Sequence, residues 1–199
     1  MRVVAISGGL REPSTTRLLV DRLAAAVGAE LGEADVEVIE LRRLARAITD
    51  ALVTGFASPE LAEVFDAIAG SDGVIAVTPT FNATFSGLFK SFFDVLPEQT
   101  LDGMPVLIAA TGGTERHSLV LDHALRPMFS YLHALVSPTG VYAATSDFGA
   151  DRSGAALSER IASAARDFAR LVRVSGPRPH PDQFADELTE IQGLLTGTR

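Results

Sequence analysis

Met1-Arg2-Val3-Val4-Ala5-Ile6-Ser7-Gly8-Gly9-Leu10-Arg11-Glu12-Pro13-Ser14-Thr15-Thr16-Arg17-Leu18-Leu19 opens as a strand-length apolar run, breaks at glycine and resumes with helical spacing. Ser14-Thr15-Thr16 can cap a helix that turns Leu18, Leu19, Leu23 and Val27 inward and ends at Gly28 or Gly32. Further apolar runs follow at Val36 to Leu41, Val74 to Val77, Val106 to Ala110 and Val141 to Ala144, each separated by helix-length segments. The order reads β-α repeated five times, which specifies a parallel sheet covered on both faces. The second run alternates Val36, Val38 and Leu41 with Glu37 and Glu40, the pattern of an edge strand.

The helices carry their own punctuation. Ser58-Pro59-Glu60 opens one with Leu61, Val64, Phe65 and Ile68 inward. Ser86-Gly87 to Leu96 is a third, stopped by Pro97. A fourth is expected from Glu115 through Leu119, Leu121, Leu125, Met128 and Leu132, with Pro127 as a kink or an early break. The fifth spans Ser153 to Val174. Residues 1–174 therefore read as one domain. Ser175 to Pro181 is a Pro-rich linker, and residues 182–199 form an amphipathic tail carrying Phe184, Leu188, Ile191, Leu194 and Leu195.

Composition removes whole classes of chemistry. The 199 residues include no Cys, so a disulfide scaffold, a thiolate metal site and a cysteine nucleophile are all excluded. Seventeen Lys plus Arg stand against 25 Asp plus Glu, a net charge of −8. That balance disfavours a broad nucleic-acid footprint, which needs clustered positive charge. The opening apolar run is too short for a signal peptide, and no segment reaches the roughly 20 apolar residues of a membrane span. A soluble, cytoplasmic protein is expected.

In an open α/β sheet, ligands bind beyond the carboxyl ends of the strands. Three loops there are candidates. Ser7 to Thr16 has glycines, three hydroxyl side chains at a helix start and Arg11, the components of an anion site; the same hydroxyls also read as plain helix caps. The loop is neither Gly-x-Gly-x-x-Gly nor Gly-x-x-x-x-Gly-Lys-[Ser/Thr], so it favours the phosphate of a mononucleotide over a pyrophosphate or a triphosphate. Thr78 to Lys90 offers Pro79, Thr80, Phe81 and Asn82 beside a flat ring, with Phe85 reading as core. Thr111-Gly112-Gly113, leading to His117, supplies a third wall at a helix start, where backbone N–H groups favour developing negative charge. His117 could touch a ligand or simply bond to backbone. His123, His133 and His180 have no metal-ligand spacing, and Lys90 with Asp94 is an i,i+4 pair.

Gly8-Gly9-Leu10-Arg11-Glu12-Pro13-Ser14-Thr15-Thr16-Arg17-Leu18-Leu19 resembles the opening Gly-Ser-x-Arg-x-x-Ser-x-[Asn/Ser]-x-x-Leu of the NADPH-dependent FMN reductase family. Thr78-Pro79-Thr80-Phe81 through Gly87, Lys90 and Asp94 is similar to that family's Pro-x-Tyr-x-x-x-x-x-Gly-x-x-Lys-x-x-x-Asp stretch. Thr111-Gly112-Gly113, with His117, Leu119, Asp122 and Ala124-Leu125-Arg126-Pro127, is similar to the branch that supplies reduced flavin to two-component sulfonate monooxygenases. The likeness covers about residues 1 to 148.

The resemblance implies a flavodoxin-like three-layer sandwich with sheet order 2-1-3-4-5, binding FMN and taking hydride from NADPH or NADH. Arg11, Ser14, Thr15 and Thr16 would hold the FMN phosphate. Pro79, Thr80, Phe81 and Asn82 would line the isoalloxazine, and Thr111, Gly112 and Gly113 would approach its pyrimidine end. No residue is assigned a catalytic role, since the flavin carries the chemistry. Gly9 departs from the family's usual Ser, so Ser7 or backbone would take over that contact, and Phe81 departs from the common Tyr. The resemblance also implies a homodimer or homotetramer built through the helices after strands three and four, and a monooxygenase as downstream partner. An FMN-containing quinone, azo or nitro reductase and a flavin-binding electron carrier remain alternatives.

Overall fold

The computed structural model describes residues 1–32, 34–149 and 152–176. In chain order its main elements are β1 (Arg2–Ser7), α1 (Thr15–Glu30), β2 (Asp35–Glu40), α2 (Ala45–Thr54), α3 (Pro59–Ala69), β3 (Gly73–Phe81), β4 (Thr84–Phe85), α4 (Gly87–Val95), β5 (Pro105–Gly112), α5 (Arg126–Tyr131), β6 (Leu135–Val136), β7 (Val141–Ala144) and α6 (Arg152–Ser175). The main sheet runs β2-β1-β3-β5, and β6 and β7 both pair with the far edge of β5. All these pairings are parallel. The five expected strands are β1, β2, β3, β5 and β7, so their order is the expected 2-1-3-4-5. The proposed linker and tail lie, from residue 177 onward, outside the described residues.

Side-chain alternation divides the core. Val4 and Ile6 of β1, Val74 and Ala76 of β3, Val106 and Ile108 of β5 and Tyr142 of β7 face α2, α3, α4 and α5. Val3 and Ala5, Ile75 and Val77, Leu107 and Ala109, and Val141 and Ala143 face α1 and α6. Because strand residues alternate sides, an unbroken apolar run serves both layers. The expected caps form: Ser14, Ser58 and Ser86 accept hydrogen bonds from the backbone N–H of Arg17, Leu61 and Phe89. Helix α1 passes through Gly28 and stops before Gly32, whose φ of +77° supplies the left-handed residue of the helix stop. No described helix is long and apolar enough to cross a membrane.

Two expectations need correction, and α2 and β6 are additional elements. Leu18 is exposed, and the inward face of α1 is Thr16, Leu19, Val20, Leu23 and Val27. Helix α2 was not expected between the second strand and α3. The expected helix from Glu115 to Leu132 is instead a 3-10 turn at Glu115–His117, a π-helical turn at Leu121–Leu125 and the short α5, with Leu119 exposed. Pro127 explains the break, since its ring lacks an N–H and crowds the carbonyl of His123 four residues back. The last expected strand, Val141 to Ala144, forms as β7; Ser137 to Gly140 separates it from the additional strand β6, and the Arg126 guanidinium donates to the Ser137 and Pro138 carbonyls at 3.1 and 3.2 Å.

Strand β3 also runs further than expected and folds back on itself. Thr80 pairs with Phe85 and Phe81 with Thr84, leaving Asn82 and Ala83 as a two-residue turn with φ of 49° and 67°. Both central residues with positive φ define the hairpin turn that matches strand twist, and Ala is a costly choice there. Ala83→Gly is therefore expected to raise stability by about 1 kcal/mol, or about 2–4 °C in a thermal melt. A lowered melting temperature would contradict this account of the turn.

Candidate functional site

The carboxyl ends of β1, β3, β5 and β7 open onto one cleft of about 360 Å³. Its first wall is Leu10, Arg11 and Pro13 to Thr16; its second is Pro79, Thr80 and Phe81; its third is Thr111, Gly112 and Gly113. Thr145, just beyond β7, completes it. Another cavity of about 380 Å³ lies past the end of α4, against Leu101, Asp102 and Tyr131 to His133, and contains none of these loop residues.

The first wall follows from local geometry. Gly8 lies against α4, where a Cβ would come 2.9 Å from the Phe89 ring. At Gly9 a Cβ would fall 2.5 Å from Ser14 Oγ, so glycine there leaves the space that the Ser14 hydroxyl occupies. Thr15 and Thr16 begin a 16-residue helix, whose first-turn N–H groups and dipole favour an anion. Thr16 is buried, and its hydroxyl lies 2.8 Å from that of Thr111, tying the first wall to the third.

Charge at the mouth is simple. Among the described residues, the lining includes no Asp, Glu or Lys and one cation, Arg11. Arg11 makes no hydrogen bond or ion pair with any described residue, whereas its neighbours are engaged. Glu12 pairs with Arg42 at 2.5 Å, and Arg17 is held by Asp21 and Glu40 at 2.8 Å each. The hydrogen bond to Asp21 is the largest influence raising the Arg17 pKa above its ordinary value. Within a chain of net charge −8, the cleft thus presents one unneutralised guanidinium beside three hydroxyls.

The second wall is the arm of the β3–β4 hairpin. Phe81 is partly exposed along it, while Phe85 packs toward the core with its ring 6.3 Å from that of Phe89. Thr78 anchors the base, accepting from Ser86 N at 3.0 Å. Thr80 Oγ1 is buried but makes no hydrogen bond of ordinary geometry to any described residue. It lies close enough to the Tyr142 phenol to favour ionisation, yet burial dominates and raises that phenol's pKa.

Of the residues singled out in the sequence, ten line the cleft together: Arg11, Ser14, Thr15, Thr16, Pro79, Thr80, Phe81, Thr111, Gly112 and Gly113. Four do not. Ser7 is buried inside β1, Gly9 sits behind Ser14, Asn82 is at the exposed hairpin tip, and His117 is exposed on the 3-10 turn. Thr145 was missed, although its place directly after a strand met the same rule that selected the other loops. No described cluster of three or more His, Asp or Glu is placed to hold a metal ion.

Residues 1–149 match the family described as NADPH-dependent FMN reductase. The chain is 44% identical over 147 residues to an FMN reductase (NADPH) of Pseudomonas aeruginosa, covering 74% of this chain and 78% of that one. It is 40% identical over 148 residues to the NADH-dependent FMN reductase SfnF of Pseudomonas putida, covering 74% and 80%. The X-ray structure of an oxidoreductase from Corynebacterium diphtheriae superposes with a TM-score of 0.82 at 47% identity, covering 86% of this chain and 96% of that one.

Proposed function

The chain belongs to the NADPH-dependent FMN reductase family, and from that premise we propose that its cleft binds FMN and oxidises NAD(P)H with it. The observation that carries the reading is the donor set of the first wall. Arg11, free of any described carboxylate, stands with Ser14, Thr15 and Thr16 at the start of α1, in a lining whose described residues include no acidic side chain. This arrangement fits a terminal phosphate dianion. The remainder of the cleft fits a flat ring, with Pro79 and Phe81 on one side and the Gly112-Gly113 backbone on another. Thr80 Oγ1 offers a buried polar atom with no hydrogen bond of ordinary geometry to any described residue.

When bound, FMN supplies a ring that accepts hydride from the nicotinamide. The protein's part is to bind and orient. Arg11 and the hydroxyls fix the phosphate end, the hairpin arm limits sliding of the ring, and the Thr16–Thr111 hydroxyl pair sets the separation of the two walls. Arg11 and Phe81 leave one side open to solvent, which supports exchange of FMN as a substrate between turnovers. We assign the reductase domain to residues 1–174.

The likeness of residues 111–127 to reductases of sulfonate monooxygenase systems supports delivery of reduced FMN to a monooxygenase. A homodimer or homotetramer is supported by apolar side chains left exposed on and around α5, Tyr131 at 84% and also Leu119 and Leu135. The cytoplasm, which supplies the nicotinamide reductant, is the proposed location. Steady-state assays should show NADPH or NADH oxidation that saturates with added FMN and is absent without flavin. No FMN-dependent oxidation with either nucleotide would overturn the assignment.

A further inference from the structure

We propose that Tyr142 is a positioning residue for the flavin ring: its hydroxyl tethers the Gly112–Thr114 segment in the shape that forms the third wall of the cleft. The inference rests on the FMN reading of the cleft.

Tyr142 is the second residue of β7 and only 7% exposed. Its hydroxyl donates to the Thr114 carbonyl at 2.6 Å. The same oxygen presses on Gly112, where a Cβ would come within 2.0 Å of it. Glycine at 112 is therefore matched to the phenol as well as to the ligand side of the loop. Among the described residues, two side-chain hydrogen bonds reach Gly112–Thr114, one from β7 and one from the residue just after it. The second is from Thr145 Oγ1 to the Gly112 carbonyl at 3.4 Å, long and correspondingly weak. The tether thus depends mainly on one hydroxyl.

The far end of the tether is fixed in turn. Arg160 of α6 donates to Asp147 at 2.8 Å and to the Tyr142 carbonyl at 3.5 Å, and Asp147 accepts from Ala144 N at 2.9 Å. Helix α6, the turn after β7 and the phenol form a continuous support behind a loop that otherwise projects into solvent. Burial raises the Tyr142 pKa, so the hydroxyl remains a neutral donor throughout the pH range in which NAD(P)H is used.

A tether of this kind has a distinct signature. It acts on the ring end of the ligand, so its loss weakens FMN and riboflavin alike, whereas loss of Arg11 discriminates between them. Tyr142→Phe removes the oxygen and retains the buried ring. Titration of flavin fluorescence should show about five- to tenfold weaker binding of both FMN and riboflavin, the scale of one hydrogen bond. A thermal melt reports any general loss of stability in parallel.

Gly112→Ala provides the second arm. In the native background it should weaken both flavins by more than about tenfold, because the new methyl displaces the phenol or the loop. On top of Tyr142→Phe, where the nearest ring carbon would stand 3.1 Å away, the same change should cost less than about threefold. Unchanged binding of both flavins in Tyr142→Phe, with only a lower melting temperature, overturns the inference and leaves the FMN reading intact. Equal losses from Gly112→Ala in the two backgrounds also overturn it. A native protein that binds neither flavin overturns the reading of the cleft, and the inference with it.

Discussion

Arg11→Ala should weaken FMN binding by about one to two orders of magnitude while changing riboflavin binding by no more than about twofold, as expected for loss of charge-assisted bonds worth about 1.5–3 kcal/mol. The asymmetry follows from the cleft's charge. Arg11 is the one cation among the described residues of the lining, and no described carboxylate competes for it. The nearby alternatives are committed elsewhere, Arg42 to Glu12 and Arg17 to Asp21 and Glu40. Ser14 to Thr16 and the start of α1 would remain in the variant, so binding should be weakened and not abolished. Matched titrations with FMN and riboflavin measure the difference directly. Equal losses for the two ligands would place the phosphate elsewhere.

Phe89→Ala should destabilise the fold by about 3–5 kcal/mol, read from the shift in a urea denaturation midpoint. Phe89 is fully buried in α4, with ring centroids 4.9 Å from Phe93 and 6.4 Å from Phe129, both at edge-to-face angles. Such contacts add about 0.5–1.5 kcal/mol per pair to the area term. The same ring supports Gly8, whose N–H donates to the Val77 carbonyl at 2.8 Å. Loss of the ring should therefore loosen the first wall, so that the remaining folded protein also binds FMN more weakly. A loss of stability below about 1 kcal/mol would mean that the cluster repacks without it.

Much of the fold was legible in the residues. Strand β1, the glycine break and the Ser14 cap form one local unit, and Ser58-Pro59 and Ser86 announce the next helix starts with the same chemistry. Helix α2 was missed because it lacks that chemistry: Leu44 stands at the cap position and makes no side-chain hydrogen bond. Its buried Ile48 and Ala51 are scattered among Arg46, Thr49 and Asp50, and packing against α4 stabilises it. The region after β5 failed for the opposite reason. Its apolar spacing is helical, but Pro127 divides it into unlike turns, and sequence periodicity does not show how a chain negotiates such a break.

The site was legible wherever one loop carried its own chemistry. Arg11 with Ser14 to Thr16 is a self-contained anion motif, and the structure places these residues on one wall. Tyr142 and Thr145 gave no such signal. Tyr142 reads as an ordinary strand residue, and only the fold brings its hydroxyl to the Thr114 carbonyl. The β3–β4 hairpin was hidden similarly, since Asn82-Ala83 lacks the glycine that usually marks a two-residue turn.

The most direct test is anaerobic single-turnover reduction of FMN by NADPH or NADH, followed by loss of the flavin's visible absorbance. Native protein should accelerate bleaching to a rate that saturates with protein concentration. Arg11→Ala should need about 10- to 100-fold more protein to reach a similar limiting rate, in line with the loss of phosphate binding. Bleaching no faster than in buffer with both nucleotides, or acceleration untouched by Arg11→Ala, would contradict the proposed site.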